Sequence, residues 1–419
     1  MVPTREIYWN ISGLIWMYVL LLAAAAVFFW KFYRRYRLWK LGHPDQRFDK
    51  IGYRFKLMLQ YAGAQGRVVK KRYAGTMHLL IYSGFIILFI GTVLIFIQED
   101  ITEPLFSWLF LKSTFYLIYS LTLDIFGVLA ILGIFLALYR RAVIQPPNLK
   151  TRRDDLIVFS TFLIILVTGF LIEGLRIAET QPAWAGWSPF GALLAGLFSG
   201  AASDTLRGWH AGLWWFHLTI SLAFIAYMPF SKLFHIFTTP ANIFFQSLGP
   251  KGALGKMELE EIENFGASEI THFSWKELMD LDACTECGRC SDVCPATITE
   301  KPLSPMQVIV EMRDYMSAYG PSFFNGKNEN TAAEDKPALV GETVGDGELW
   351  ACTTCRACQQ ACPVYIEHIP KIVEMRRHLV LEESRFPAEV VTTFKNMETQ
   401  GNPWGISAED REKWTEGLD

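Results

Sequence analysis

Five apolar stretches, each longer than twenty residues, decide what this chain can fold into: roughly 10–31, 76–97, 113–138, 155–176 and 210–238. Each is long enough to cross about 30 Å of hydrocarbon as a helix. In lipid the backbone has to satisfy its own hydrogen bonds, so a helix is the expected form of each. Their flanks set an orientation. Lys31, Arg34, Arg35, Arg37 and Lys40 follow the first stretch, and Lys70, Lys71 and Arg72 precede the second. Arg140, Arg141, Lys150, Arg152 and Arg153 separate the third from the fourth. The opposite loops carry Glu99, Asp100 and Glu103, or little charge. Basic loops stay in the cytoplasm, which puts the N-terminus outside and, after an odd number of spans, the C-terminal half inside. The expected location is a prokaryotic cell (inner) membrane.

The rest of the chain is of another kind. The whole is 51% hydrophobic with mean hydropathy +0.20, yet 19% charged. Neither a soluble domain nor a wholly embedded one averages that way. Residues before about 245 hold nearly all the long apolar runs; those after it hold every cysteine and most of the acidic residues. The expected division is a membrane domain (1–240), a linker (241–275), an α-helical cluster domain (276–400) and a tail (401–419) that docks another subunit. The linker is punctuated by Gly and Pro and contains the acidic run Glu258 to Glu263. A net charge of −3 argues against a nucleic-acid partner. The first apolar stretch lacks a basic leader and reads as a span rather than a cleaved signal. Trp184 to Ala202 is too short and broken for a span and reads as an outside-facing interfacial or re-entrant segment. Residues 34–74 read as a basic, aromatic loop lying on cytoplasmic headgroups.

All eight cysteines fall into two copies of C-x-x-C-x-x-C-x-x-x-C-P. They are Cys284, Cys287, Cys290, Cys294-Pro295 and Cys352, Cys355, Cys358, Cys362-Pro363. In two-cluster iron–sulfur proteins the fourth cysteine of each run serves the other cluster. One [4Fe–4S] cubane is therefore assigned to Cys284, Cys287, Cys290 and Cys362, and a second to Cys352, Cys355, Cys358 and Cys294. Zinc ribbons use cysteine pairs instead, and disulfides do not persist in a reducing cytoplasm. Ser304 to Tyr319 has helical period behind a serine N-cap, and 366–384 is again helical and amphipathic. The expected fold is all-α: a five-transmembrane-helix bundle followed by a cytoplasmic α-helical ferredoxin domain. Gly320 to Gly347 reads as a surface loop. His272, His368 and His378 are assigned structural roles, while Arg289 and Arg356, inside the ligand loops, could raise cluster potentials.

Four histidines fall in or near spans: His78, His210, His217 and His235. His78 and His235 are expected at similar depth near the cytoplasmic ends of the second and fifth helices. Paired imidazoles at matched depth suit axial ligation of a b-type haem; the competing reading is a hydrogen bond to a neighbouring helix. On a continuous helix His217 lies about 27 Å from His235, with His210 two turns further out on the same face. No partner histidine matches that depth, so one haem is expected. Asp124 is a carboxylate within the third span, where charge is costly and function is the default reading. An outer quinone pocket is expected from Asp124, His217 and His210, the alternative for Asp124 being hydrogen-bonded packing. Glu173 and Arg176 read as an interfacial ion pair, and Trp209, Trp214 and Trp215 as an aromatic belt.

On these residues the membrane half resembles the nitrate reductase gamma-subunit family, including histidines eighteen apart on the last helix, which implies a five-transmembrane-helix cytochrome b bundle. That family has two histidines ten apart on its second helix; here the first matches His78 but the second falls on Leu88. The resemblance thus implies the His78–His235 haem and leaves His217 without a matched partner. LDACTECGRCSDVCPA, WACTTCRACQQACPV and YIEHIPK resemble heterodisulfide-reductase-related iron–sulfur proteins. The fusion is similar to membrane-bound oxidoreductases that pass electrons from electron-transfer flavoprotein to menaquinone. Such relatives continue beyond a GNPWG-like segment, here Gly401 to Gly405, into CCG modules; this sequence ends at Asp419 without a CC pair. A separate CCG subunit or direct docking of a flavoprotein donor is the implied arrangement. The reverse flow, menaquinol feeding a cytoplasmic disulfide or sulfite-type reductase, is the alternative, and a membrane anchor with structural clusters is a third.

Overall fold

The computed structural model describes residues 2–255, 257, 264–325 and 336–418. The acidic run Glu258–Glu263 and the middle of the Gly320–Gly347 stretch lie outside the described residues. The chain divides into two compact units. The first comprises Met1–Tyr36, Lys50–Phe244 and Thr285–Cys287; the second comprises Arg37–Asp49, Phe245–Cys284 and Gly288–Asp419. Both are helical, and the only β-pairing among the described residues is two isolated bridges, His43 with Ser274 and Val340 with Val344.

The first unit holds α1 (Ile15–Trp39), α2 (Ile51–Met58), α3 (Arg72–Ile97), α4 (Glu103–Phe106), α5 (Ser113–Tyr139), α6 (Arg153–Thr180), α7 (Pro189–Leu197), α8 (Ser203–Tyr227) and α9 (His235–Phe244). Five of its helical runs are long and apolar enough to cross a membrane. Large apolar side chains such as Trp16, Leu22, Phe29, Phe89 and Phe135 point outward, as they do when the surrounding solvent is hydrocarbon. Inside, Ala130, Ile134, Phe162, Leu166, Phe224 and Met228 form a packed core. Helices α3 and α5 approach closely because Gly84 has no side chain; a Cβ there would fall 2.5 Å from Ala130 Cβ.

Three elements differ from expectation. The first helix continues to Trp39, eight residues past the predicted end, carrying Lys31 to Arg37 along its last turns. The 34–74 stretch is not one loop on a surface. Arg37–Asp49 groups with the second unit, where Trp39 Nε1 donates to Asp282 at 2.7 Å and His43 N–H to Phe273 O at 3.0 Å. The fifth apolar stretch is broken. Helix α8 stops at Tyr227, two 3-10 turns cover Met228–Phe230 and Lys232–Phe234, and α9 restarts at His235. Pro229 has no N–H to continue the ladder. A rise of 1.5 Å per residue therefore does not carry from His217 to His235.

Trp184 to Ala202 folds around α7. Its first amides are capped from another helix: Phe190 N–H and Gly191 N–H each donate to an oxygen of Asp124, both at 3.0 Å.

The second unit holds α10 (Trp275–Ala283), α11 (Pro295–Ile298), α12 (Pro305–Tyr319), α13 (Asp346–Ala351), α14 (Ala357–Ala361), α15 (His368–Leu381) and α16 (Val391–Gln400). Ser274 and Glu277 cap α10 reciprocally, and Ser304 caps α12 through Gln307 N–H. Leu278, Leu281, Met312, Met316, Ile372, Met375 and Leu379 fill its core.

Candidate functional site

The two cysteine runs fold as the same loop. Helix α10 ends in Cys284 at φ −68°, ψ 119°, and α13 ends in Cys352 at φ −73°, ψ 124°. Two residues on, Glu286 and Thr354 both adopt φ 54°; two further on, Gly288 and Arg356 adopt φ 78° and 62°. Three of these left-handed residues are not glycine, a strain that persists only where the fold imposes it. The fourth cysteines match too, with φ −77°, ψ 122° at Cys294 and φ −66°, ψ 118° at Cys362. Amides point at sulfur: Thr354 N–H lies 3.4 Å from Cys352 Sγ, and Ile366 N–H 3.5 Å from Cys362 Sγ.

Within the second unit, Cys294 interacts electrostatically with Cys352 and Cys358, and so does Cys355. These are the four cysteines assigned to one cubane. Helix α14 also packs on the turn Ser291–Val293 that leads into Cys294. The donor set suits an iron cluster. Burial first, and then the neighbouring thiols, push Cys358 up to about 12 and raise Cys352. Thiols so crowded become thiolates only with a cation among them. Arg376, which nothing in the sequence pattern marked, donates from Nε to Leu349 O at 2.8 Å and from Nη2 to Cys352 O at 2.5 Å. It sets a guanidinium beside that thiol.

A buried ion network joins the segments that carry Cys284 and Cys362. Asp280, on α10, accepts from Lys276 at 2.8 Å, Lys371 at 2.6 Å and Glu367 N–H at 3.1 Å. Glu367 is held by both terminal nitrogens of Arg47, at 3.1 and 3.2 Å, and by Ser247 N–H at 2.7 Å. Lys276, Asp280 and Lys371 are fully buried. Burial alone would raise the Asp280 carboxyl, but the two lysines hold it well below the usual carboxylate range. His368 sits next to Glu367, and burial, reinforced by Lys371, pushes it down to about 4. The unfolded chain protonates this histidine near 6.5. Stability should therefore fall as pH drops from about 6.5 to about 4. In the variant His368→Gln, urea midpoints measured across that window should vary less with pH.

In the first unit the His78 and His235 rings have centroids 6.5 Å apart, with their planes tilted by 57°. Two metal–nitrogen bonds of about 2 Å plus half a ring on either side require about 6–6.5 Å. The pair fits axial ligation of one iron. His235 Nδ1 donates to Lys232 O at 2.6 Å, which leaves Nε2 as the free lone pair. That carbonyl is well anchored. Lys232 N–H and Tyr227 OH bind Asp154 at 3.1 and 2.6 Å, and Lys232 Nζ binds Asp155 at 2.9 Å. The helix break thus has a use: it turns a backbone carbonyl toward the ring behind it.

A cavity of about 610 Å³ runs through the same bundle. Apolar side chains line most of it, among them Phe28, Phe85, Leu88 and Phe162, while its polar groups include Asp124, Glu173, His217, Ser221, Tyr116 and Arg5. His217 and Asp124 are therefore brought to one cavity. His210 is not among its lining residues; it is buried edge-on against Trp9 at 4.7 Å. Glu173 and Arg176 do pair, at 3.7 Å, but Arg176 is buried and Glu173 lines the cavity, rather than both standing at an interface. Arg5 escapes a reading of the sequence because an N-terminal arginine carries no pattern.

Comparison with known proteins gives two domain matches. Residues 66–248 match the nitrate reductase gamma subunit model, and residues 283–366 match a 4Fe-4S dicluster domain. The EtfAB:quinone oxidoreductase of Syntrophomonas wolfei is 37% identical over 99% of this chain and 61% of its own length. The probable iron-sulfur-binding oxidoreductase FadF of Bacillus subtilis is 30% identical over 94% of this chain and 60% of its own. A dihydromethanophenazine:CoB–CoM heterodisulfide reductase component from Methanosarcina mazei is 30% identical over 40% of this chain and 57% of its own. The chain spans about three fifths of the length of the first two relatives. No solved structure matches. The chain is a membrane protein that joins a nitrate reductase gamma-like bundle to an iron–sulfur dicluster domain.

Proposed function

We propose that this gamma-like bundle and its dicluster domain form the electron-carrying part of a membrane-bound quinone oxidoreductase. A cytoplasmic donor, read as an electron-transfer flavoprotein acting directly or through a CCG-type iron–sulfur subunit, would deliver electrons, and menaquinone would receive them. Two [4Fe–4S] clusters and a b-type haem supply one-electron steps when bound. The chain's own residues hold and aim them. Cys284, Cys287, Cys290 and Cys362 would carry one cluster, and Cys352, Cys355, Cys358 and Cys294 the other. His78 and His235 would carry the haem. Asp124, His217 and His210 are the sequence candidates for the quinone end. His217 lines the cavity, whereas Asp124 has both oxygens engaged by α7 amides and His210 is packed on Trp9.

The observation that carries this reading is the His78–His235 pair, 6.5 Å apart with Nδ1 of His235 already engaged. The names of the Syntrophomonas and Bacillus relatives support the same class of activity. Crossed ligation is tested by exchange of single cysteines. Cys294→Ser should perturb the cluster of the second run, and Cys362→Ser that of the first, read as the loss of one of two paramagnetic signals with iron falling by about half. Loss of the same-run cluster in each case would refute the assignment.

The heterodisulfide-reductase relative keeps a second reading open: menaquinol oxidation feeding a cytoplasmic reductase. The two differ in which side reduces the cofactors. Reduction of the visible bands by reduced flavoprotein supports the first, and reduction by a menaquinol supports the second. Cluster absorbance that neither donor reduces, with no haem band, would leave only a membrane anchor with structural clusters.

A further inference from the structure

We infer that the bundle cavity is the quinone site, and that Glu173 rather than Asp124 handles the proton at its head-group end. This rests on the reading above.

The cavity is shaped for an amphiphile. About 610 Å³ is within the range of small-molecule pockets and accepts a two-ring head with the start of a tail. Its polar atoms gather at the end formed by the start of α5, the C-terminal half of α6 and the N-terminal segment, away from the basic loops. Two of these atoms, Arg5 Nε and Ser221 Oγ, are buried and make no hydrogen bond among the described residues. His217 lies one turn before Ser221 on the same face of α8. Its Nδ1 meets Thr168 Oγ at 2.9 Å, and that hydroxyl already donates to Ile164 O at 2.8 Å. Thr168 therefore accepts from Nδ1–H, and Nε2 is left as an acceptor. Gly169 makes the room, since a Cβ there would stand 3.3 Å from His217 Cε1. Such a lining calls for a flat ligand with oxygens at its two ends and an apolar remainder.

The two carboxylates differ in freedom. Asp124 spends one oxygen on each of two α7 amides, so it serves as an anchor for that helix. Glu173 bonds Ser188 and has Arg176, Arg5 and Asp124 as charged neighbours. Gly191 packs directly on it, where a Cβ would fall 2.8 Å from its Cδ. It is thus fixed in position, yet retains partial exposure on the cavity wall.

Reduction adds two electrons and two protons to the quinone, turning two carbonyls into two hydroxyls. The electrons come singly from the relay proposed above. Glu173, a carboxylate paired with Arg176 at rest, takes a proton from water at that end of the bundle and passes it to the near carbonyl oxygen. The far carbonyl takes its proton from His217 after Nε2, an acceptor in the resting ring, has itself taken one from water, the imidazole cycling from neutral to charged and back.

The test uses the full chain in lipid nanodiscs with a radiolabelled, short-tailed naphthoquinone. Leu88→Trp and Ser221→Leu, which fill the cavity from two walls, should each weaken binding at least tenfold while the haem band persists. Glu173→Gln should bind within threefold of the parent yet turn over at least tenfold more slowly, losing the pH dependence of the parent's kcat. Glu173→Asp should restore part of the rate. Undiminished binding in both filled variants, or undiminished turnover in Glu173→Gln, would overturn the inference. A haem band that no donor reduces would instead defeat the electron relay, whatever the binding result.

Discussion

Purified His235→Ala protein should show no reduced α-band, and His78→Ala should behave the same way. On the proposed ligation each imidazole would supply one of two axial bonds, and the ring stacked on His78 besides His235 is Tyr82, which is no imidazole. The loss should be essentially complete rather than partial, measured as pyridine haemochrome per chain. Folding of the rest should survive, with cluster absorbance retained, because no cysteine is touched. His217→Ala is the informative contrast. It should keep the band and slow quinone turnover. If His217→Ala removes the band instead, the ligand pair has been misassigned.

The second large effect is expected at Asp280→Asn. This carboxylate lies between two fully buried lysines and also receives the Glu367 amide. Neutralising it leaves two buried lysines with only Glu367 as a partner, its carboxylate 3.7 Å from Lys276 and its carbonyl 3.0 Å from Lys371, and breaking a buried pair costs about 3–5 kcal/mol. The segments it ties together end in Cys284 and lead from Cys362, so the cubane spanning them should be lost first. Non-haem iron per chain should fall from about eight toward four before the domain unfolds. The acid dependence follows from the sign of the shift. The folded-state carboxyl titrates below its unfolded value of about 3.9. Its contribution is complete above that value and is lost as pH falls through the folded-state one. Wild-type cluster absorbance should therefore owe nothing to Asp280 titration at neutral pH. Lys276→Met, which leaves Asp280 one lysine, should cost less than Asp280→Asn.

Much of this is visible in the chain before its fold. Apolar length alone reveals the five spans, because nothing else tolerates twenty uncharged residues. Cysteine spacing reveals the cluster loops, because ligand geometry dictates it. The proximity of His78 and His235 is legible from depth, though only by treating the fifth helix as continuous. Pro229 is the available signal of the break, and a proline inside an apolar run deserves more weight than hydropathy gives it. Asp124 stands out for the right reason, a charge within a span, but its partners are amides of a distant segment that no local pattern reveals. Lys276, Asp280, Glu367 and Lys371 read as ordinary polar positions of amphipathic helices. Only the packing of α10 against the second cysteine run buries them. Arg5 and Arg376 carry no sequence signature; their roles come from where the chain happens to return.

The interruption between Tyr227 and His235 separates two angular registers. A single residue added within α8 ahead of His217 would swing that ring by about 100° about the helix axis. The rotation would be absorbed at the 3-10 turns, and His235 would keep its bearing on His78. Evolution can thus retune the outer histidine by small insertions without disturbing the inner one.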